Sequence, residues 1–143
     1  MKLLESKVAI VTGGSRGIGK AICQSFAENG CDVAFTYNNS KESAENLANE
    51  LNDMGVKAKA YKSDASSFDD SSKLVDDVIS DFGKIDILLN NAAGNFISPT
   101  ENLSPNGFKT VVDIVLNGTF NCTQAVGKVM RENKGGVILN IVT

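Results

Sequence analysis

Val8-Ala9-Ile10-Val11-Thr12-Gly13-Gly14-Ser15-Arg16-Gly17-Ile18-Gly19 runs from four apolar residues into a glycine-rich turn, and the turn opens into Lys20 to Asn29, where apolar residues recur at helical spacing. The stretch reads as strand, tight loop, helix. Glycine has no Cβ, so Gly13, Gly17 and Gly19 tolerate positive φ where the backbone turns sharply, or leave room for a ligand. The first N–H groups of the helix have no partner inside it and carry the positive end of its dipole, which favours a bound phosphate. Strand-turn-helix junctions also use glycine for purely structural reasons.

The spacing is Thr-Gly-x-x-x-Gly-x-Gly, not the commoner G-x-G-x-x-G. With Arg16 ahead of Gly17, it resembles the nucleotide loop of the short-chain dehydrogenase/reductase family. The resemblance implies that Gly13, Ser15, Arg16, Gly17, Ile18 and Gly19 bind a nicotinamide dinucleotide.

The chain has 143 residues, 42% apolar and 22% charged, enough for one domain with a real core. Fourteen basic against seventeen acidic residues leave a net charge of -3 with no basic stripe, which offers no electrostatic case for nucleic acid or an anionic membrane. No apolar run approaches the roughly 20 residues that cross a bilayer, and Met1 to Glu5 is too short and charged for a signal peptide, so a cytoplasmic location is expected. Cys23, Cys31 and Cys122 are widely spaced and form no C-x-x-C pair, so they read as reduced, small apolar residues. The chain has no histidine, which removes Ser-His-Asp, Cys-His and His-ligated metal chemistry; no metal site is expected.

Beyond the first helix, Cys31 to Tyr37 reads as a second strand. Ser40 is placed to cap a helix that Gly55 ends, and Val56 to Tyr61 as a third strand. Ser66 or Ser67 caps a third helix that Gly83 closes, and Ile85 to Leu89 is a fourth strand apolar enough to be covered on both faces. Ser104-Pro105 starts a long fourth helix reaching Asn133, and Val137 to Ile141 is a fifth strand. Alternating strands and helices predict right-handed βαβ units and a Rossmann-type α/β fold: an open parallel sheet of five strands in order 3-2-1-4-5, in a single domain. By resemblance it stops before the family's last strands.

Dinucleotide folds usually carry an acid about 20 positions past the glycines that bonds the adenosine ribose and repels a 2'-phosphate. Here that count lands on Tyr37, followed by Asn38, Asn39, Ser40 and Lys41. Arg16 and these uncharged hydrogen-bonders favour NADP(H) over NAD(H), although ordinary turn residues and a solvated Arg16 would look the same. By resemblance Asp64, with Ala65, matches the family's adenine contact, and a strand-end cap is the compatible structural alternative. Asn91, Ala92 and Ala93 follow the fourth strand at its carboxyl end, where such sheets bind ligands, with Ala93 standing where the family's Asn-Asn-Ala-Gly has glycine.

Two branches of the family are visible. Asn91-Ala92-Ala93-Gly94-Asn95-Phe96-Ile97-Ser98-Pro99-Thr100 and Leu103-Ser104-Pro105-Asn106 through Gly118 resemble the 2,4-dienoyl-CoA reductases. In that branch Asn95 would hydrogen-bond the thioester-conjugated system, replacing the classical helix Asn whose position Val115 holds here, and Phe96 and Ser104 would touch the acyl-CoA. Residues 1–89, with Leu4-Glu5-x-Lys7-Val8-Ala9-Ile10-Val11-Thr12 and Tyr61-Lys62-Ser63-Asp64-Ala65-Ser66, resemble the 3-oxoacyl-acyl-carrier-protein reductases. Thr143 falls where classical members carry the active-site serine, and no Tyr-x-x-x-Lys follows the fifth strand; Tyr37 to Lys41 has the spacing but belongs to the adenosine end. The readings are therefore the NADP(H)-binding part of an acyl-thioester reductase, or a nucleotide-binding half-domain without catalysis. The resemblance also implies a homo-oligomer through the long fourth helix.

Overall fold

The computed structural model describes residues 1–94 and 97–142. Its strands are β1 (Val8–Val11), β2 (Asp32–Tyr37), β3 (Ala58–Lys62), β4 (Ile87–Asn90) and β5 (Val137–Asn140). All pair in parallel in the order 3-2-1-4-5, as the alternation predicts. The helices are α1 (Gly17–Glu28), α2 (Lys41–Asp53), α3 (Phe68–Phe82), α4 (Pro105–Val112) and α5 (Gly118–Glu132).

Side chains alternate across a strand, so β1 divides its residues between two cores. Val8 and Ile10 pack with Leu74, Val75 and Val78 of α3 and Cys122, Val126 and Met130 of α5. Val11 packs with Cys23 of α1, Leu47 and Leu51 of α2, and Phe35. The sheet is thus covered on both faces, which is why its central strands are continuously apolar.

Helix ends follow the residues that punctuate them. Gly30, Gly55 and Gly83 have φ of 84°, 92° and 84° at the three carboxyl ends, the left-handed conformation that glycine adopts most cheaply. Ser67 caps α3, its side chain accepting from Asp70 N–H, and Ser104 caps α4, accepting from Gly107 N–H with Pro105 in the first turn. Ser40 precedes α2 but makes no side-chain cap bond.

The fourth helix departs from expectation. Rather than one α-helix to Asn133, α4 and α5 are joined by a π turn at Asp113–Asn117. The i→i+5 register takes in one extra residue, and Lys109 Nζ and Asn117 Nδ2 grip the Asp113 carboxylate across it, at 2.5 and 2.9 Å.

The two sheet edges differ in kind. β3 carries Lys59 and Lys62, whereas Val137, Ile138 and Leu139 of β5 are 61, 36 and 51% exposed with no charge among them. Lysines on an edge discourage pairing with a second sheet.

Candidate dinucleotide-binding site

The glycine loop between β1 and α1 is clamped from both neighbouring strands. Gly13 N–H donates to Thr36 Oγ1 and Gly14 N–H to the Thr36 carbonyl, each at 3.0 Å, fixing the loop to β2. On the other side Asn91 Nδ2 donates to the carbonyls of Thr12 and Gly13 at 3.2 and 3.1 Å, fixing it to the end of β4. The next backbone bond, Lys20 N–H to the Arg16 carbonyl, already belongs to α1. The N–H groups of Gly17, Ile18 and Gly19 at its first turn have no helical partner, the arrangement at a helix start that favours a bound anion. No acidic residue occupies that turn.

Three glycines act here for three reasons. Gly17 sits at φ 56° with open space where a Cβ would stand, the combination a loop needs to let a ligand approach its backbone. A Cβ on Gly19 would land inside the Gly13 carbonyl and 2.7 Å from Asn91 Nδ2, so this residue lets helix and loop close on each other. A Cβ on Gly14 would sit 2.6 Å from that of Phe35. The local sequence does not reveal this third role, which depends on an aromatic one strand away.

These elements border a groove of about 360 Å³ along the carboxyl edge of the sheet. It is lined by Gly13, Ser15, Arg16, Gly17 and Ile18 from the loop, Tyr37, Asn38, Asn39 and Ser40 after β2, Asp64 and Ala65 after β3, and Asn91, Ala92 and Ala93 after β4. Gly19 does not line it and serves packing. Asn91 reaches it but spends its side-chain amide on the loop, and Asp64 Oδ1 accepts from Ser66 N–H at 2.9 Å and Ser66 Oγ at 2.7 Å, capping the turn that follows β3. Ser104 does not line the groove; its hydroxyl accepts from Gly107 N–H at 2.9 Å. Asn95, Phe96 and Thr143 lie outside the described residues.

Thr12, Thr36, Ser63 and Ile114 also belong to this region; Thr12 opens the Thr-Gly-x-x-x-Gly-x-Gly spacing, whereas Thr36 stands in no motif. Thr36 and Ser63 are buried and line the groove, and Ile114 reaches it from the π turn. Thr12 Oγ1 accepts from the N–H groups of both Asn91 and Ala92 at 2.9 Å.

Charge in the groove is unevenly spread. Arg16 is exposed and joins no ion pair among the described residues, so its guanidinium is available to an anion. Lys41 instead pairs with Glu45 at 3.6 Å. Cys23 lies directly beneath the loop, 3.8 Å from the Gly14 carbonyl, and burial pushes its thiol up to about 12, which keeps it protonated. The Cys31 thiol is likewise pushed up to about 12, by burial first and then by the Asp32 and Asp86 carboxylates. Cys122 is also raised by burial, and all three thiols are free. Among the described residues no group of His, Cys, Asp or Glu could hold a metal ion, and no helix is long and apolar enough to cross a membrane.

A parallel sheet, a clamped glycine loop and a helix start opening on a polar groove define a dinucleotide-binding α/β domain. The family model described as short chain dehydrogenase matches residues 7–143, and the chain belongs to that family. Similar proteins include one described as a probable 2,4-dienoyl-CoA reductase from Bacillus subtilis (strain 168), 42% identical over 139 residues that cover 96% of this chain and 54% of the relative. A 3-oxoacyl-acyl-carrier-protein reductase from Staphylococcus epidermidis is 35% identical over 138 residues, covering 96% of this chain and 57% of the relative. Among solved structures, a short chain dehydrogenase from Burkholderia cenocepacia J2315 in complex with NADP is 33% identical with a TM-score of 0.85, over 88% of this chain and 51% of that one. The chain spans about half the length of the curated relatives it matches.

Proposed function

We propose that this chain supplies the NADP(H)-binding part of a reductase acting on acyl thioesters, most like 2,4-dienoyl-CoA reduction. The observation that carries the cofactor reading is Arg16, free of any ion pair among the described residues, on the same groove as the acid-free turn Tyr37 to Ser40. A guanidinium holds a phosphate through charge-assisted hydrogen bonds, and no carboxylate in that turn repels it. The groove fits the cofactor: Gly17 leaves its backbone open, and the first turn of α1 presents unpaired N–H groups to the pyrophosphate. A nicotinamide held there supplies the two-electron reduction. The chain's own residues bind and orient: Ser15 to Ile18 at the phosphates, Asp64 and Ala65 at the adenine, Asn91 to Ala93 toward the nicotinamide.

For the substrate, the run from Asn91 to Thr100 and the apolar Val115 in the classical Asn position support the dienoyl-CoA branch. In that reading Asn95 donates to the oxygen on which charge develops, Phe96 and Ser104 contact the acyl-CoA, and Thr143 occupies the position of the classical serine. The pattern of residues 1–89 supports 3-oxoacyl-acyl-carrier-protein reduction as the second reading, and its relative of that description agrees. Phe108, Leu116 and Phe120, each about 60% exposed or more on the α4–α5 helix, make that helix the surface for a homo-oligomer. Three unpaired thiols suit a reducing, cytoplasmic setting.

Calorimetric titration with NADPH and NADH tests the cofactor reading. NADPH should bind more tightly, and Arg16→Ala should narrow the preference about tenfold or more, since a charge-assisted bond contributes about 1.5 to 3 kcal/mol. Equal dissociation constants for the two cofactors would overturn it. Asn95→Ala, in a protein carrying the family's remaining length, should lower turnover of a 2,4-dienoyl-CoA far more than it weakens NADPH binding. If it is silent while Val115→Asn raises ketoacyl turnover, the second reading takes its place.

A further inference from the structure

The π turn Asp113–Asn117 joins two segments that are anchored to different parts of the groove. On its carboxyl side, α5 is seated against the loop after β3. Asn121 Nδ2 donates to the Ala65 carbonyl at 3.0 Å, and a Cβ on Gly118 would come within 3.0 Å of the Ala65 Cβ. Within the turn, Ile114 both lines the groove and lies against the loop after β4, where a Cβ on Gly94 would be 2.8 Å from Ile114 Cδ1. Gly94 has no positive φ, so contact with Ile114, not backbone conformation, limits the space there.

An α-helix advances 100° per residue, so one inserted residue changes which side chain faces a given neighbour. With α5 held at Ala65, the extra residue decides whether Ile114 or its neighbour meets Gly94. A π turn costs hydrogen-bond geometry and persists mostly where a site uses it.

We infer that the π turn sets Ile114 as a positioning residue of the dinucleotide groove: it buttresses the Asn91–Gly94 loop from outside, while Thr12 holds the same loop from inside. The effect on cofactor rests on the NADP(H) reading above; the buttress itself does not, and the two can be read separately.

The ligand-free readout is hydrogen exchange of the Asn91 and Ala92 amides, both bonded to Thr12 Oγ1. Ile114→Ala should speed their exchange about tenfold while the amides of β1 keep their protection, and Ile114→Leu should recover most of the loss. Deleting Val115, which restores the α register, should do the same as Ile114→Ala while leaving the thermal midpoint equal or higher. Gly94→Ala overfills the contact from the other side. Combined with Ile114→Ala it should exchange more slowly than Ile114→Ala alone, because the new methyl takes up the vacated space. NADPH dissociation constants should follow the same order. Unchanged exchange at Asn91 and Ala92 in Ile114→Ala, or strict additivity in the double variant, would overturn the inference. If deletion of Val115 prevents folding, the substitutions at 114 and 94 decide it by themselves. If the exchange pattern holds but the parent chain binds no NADPH, the buttress stands and the cofactor reading falls.

Discussion

Thr12 and Asn91 are 79 residues apart in sequence and hold each other twice: Thr12 Oγ1 accepts Asn91 N–H at 2.9 Å, and the Thr12 carbonyl accepts Asn91 Nδ2 at 3.2 Å. The hydroxyl takes a second bond from Ala92 N–H, so one oxygen serves two backbone donors. Thr12→Val keeps the shape and removes the acceptor, leaving both donors unpaired. It should cost about 2 to 3 kcal/mol in urea unfolding, and Thr12→Ser should recover most of it. A Thr12→Val chain as stable as its parent would show that water replaces the hydroxyl.

The glycines of the loop should separate by mechanism. Gly17→Ala meets open space but a φ of 56°, and should cost about 1 to 2 kcal/mol of stability. Gly19→Ala has no room at all and must push the loop off Asn91, so it should weaken NADPH binding as well as stability. Calorimetry and denaturation on the two variants check this; equal effects on binding would contradict the assignment.

At the β2 end, Asn38→Asp places a carboxylate in the Tyr37–Ser40 turn, which has none. NADPH should bind more weakly and NADH be spared or improved, since like charge repels a 2'-phosphate and a carboxylate accepts from a ribose hydroxyl. The ratio of the two dissociation constants is the measurement.

Alkaline pH should destabilise the fold through its buried thiols. Cys23 and Cys31 titrate near 9 when exposed and are pushed up to about 12 in the fold, so between these values the unfolded chain releases protons that the folded chain retains. Their contribution is complete below pH 9 and is lost as pH rises toward 12, at up to about 1.4 kcal/mol per pH unit for each thiol. Denaturation midpoints across pH 8 to 11 should therefore fall, and Cys23→Ala with Cys31→Ala should flatten the slope.

The alternation of strands and helices and the helix stops at Gly30, Gly55 and Gly83 were legible because each rests on local chemistry, a period or a left-handed glycine, and the strand order followed from the fold class; Asp64, Ala65 and Asn91 to Ala93 were placed at the carboxyl edge of the sheet through the family resemblance. The Ser40 cap failed because a capping residue type supplies only the opportunity for the bond. The π turn left no mark: Lys109, Asp113 and Asn117 follow one another at i,i+4 as they would in an unbroken α-helix. Thr36 was likewise silent, since nothing in a strand threonine's own neighbours reveals that a loop bonded to its hydroxyl comes from elsewhere in the chain; Thr12, just past β1, opens the glycine motif, but that spacing says nothing of the two amides after β4 that its hydroxyl accepts.

The place of β1 at the middle of the sheet bears on how the chain is made. It leaves the ribosome ahead of both strands that flank it, β2 and β4. The β2 side can close within some 25 residues, but the other waits until Ile87–Asn90 arrives, roughly 4 to 16 s later at ordinary translation rates. During that interval Val8 to Val11 present an open, apolar, hydrogen-bonding edge, which is where a chaperone or a neighbouring nascent chain would find its first hold.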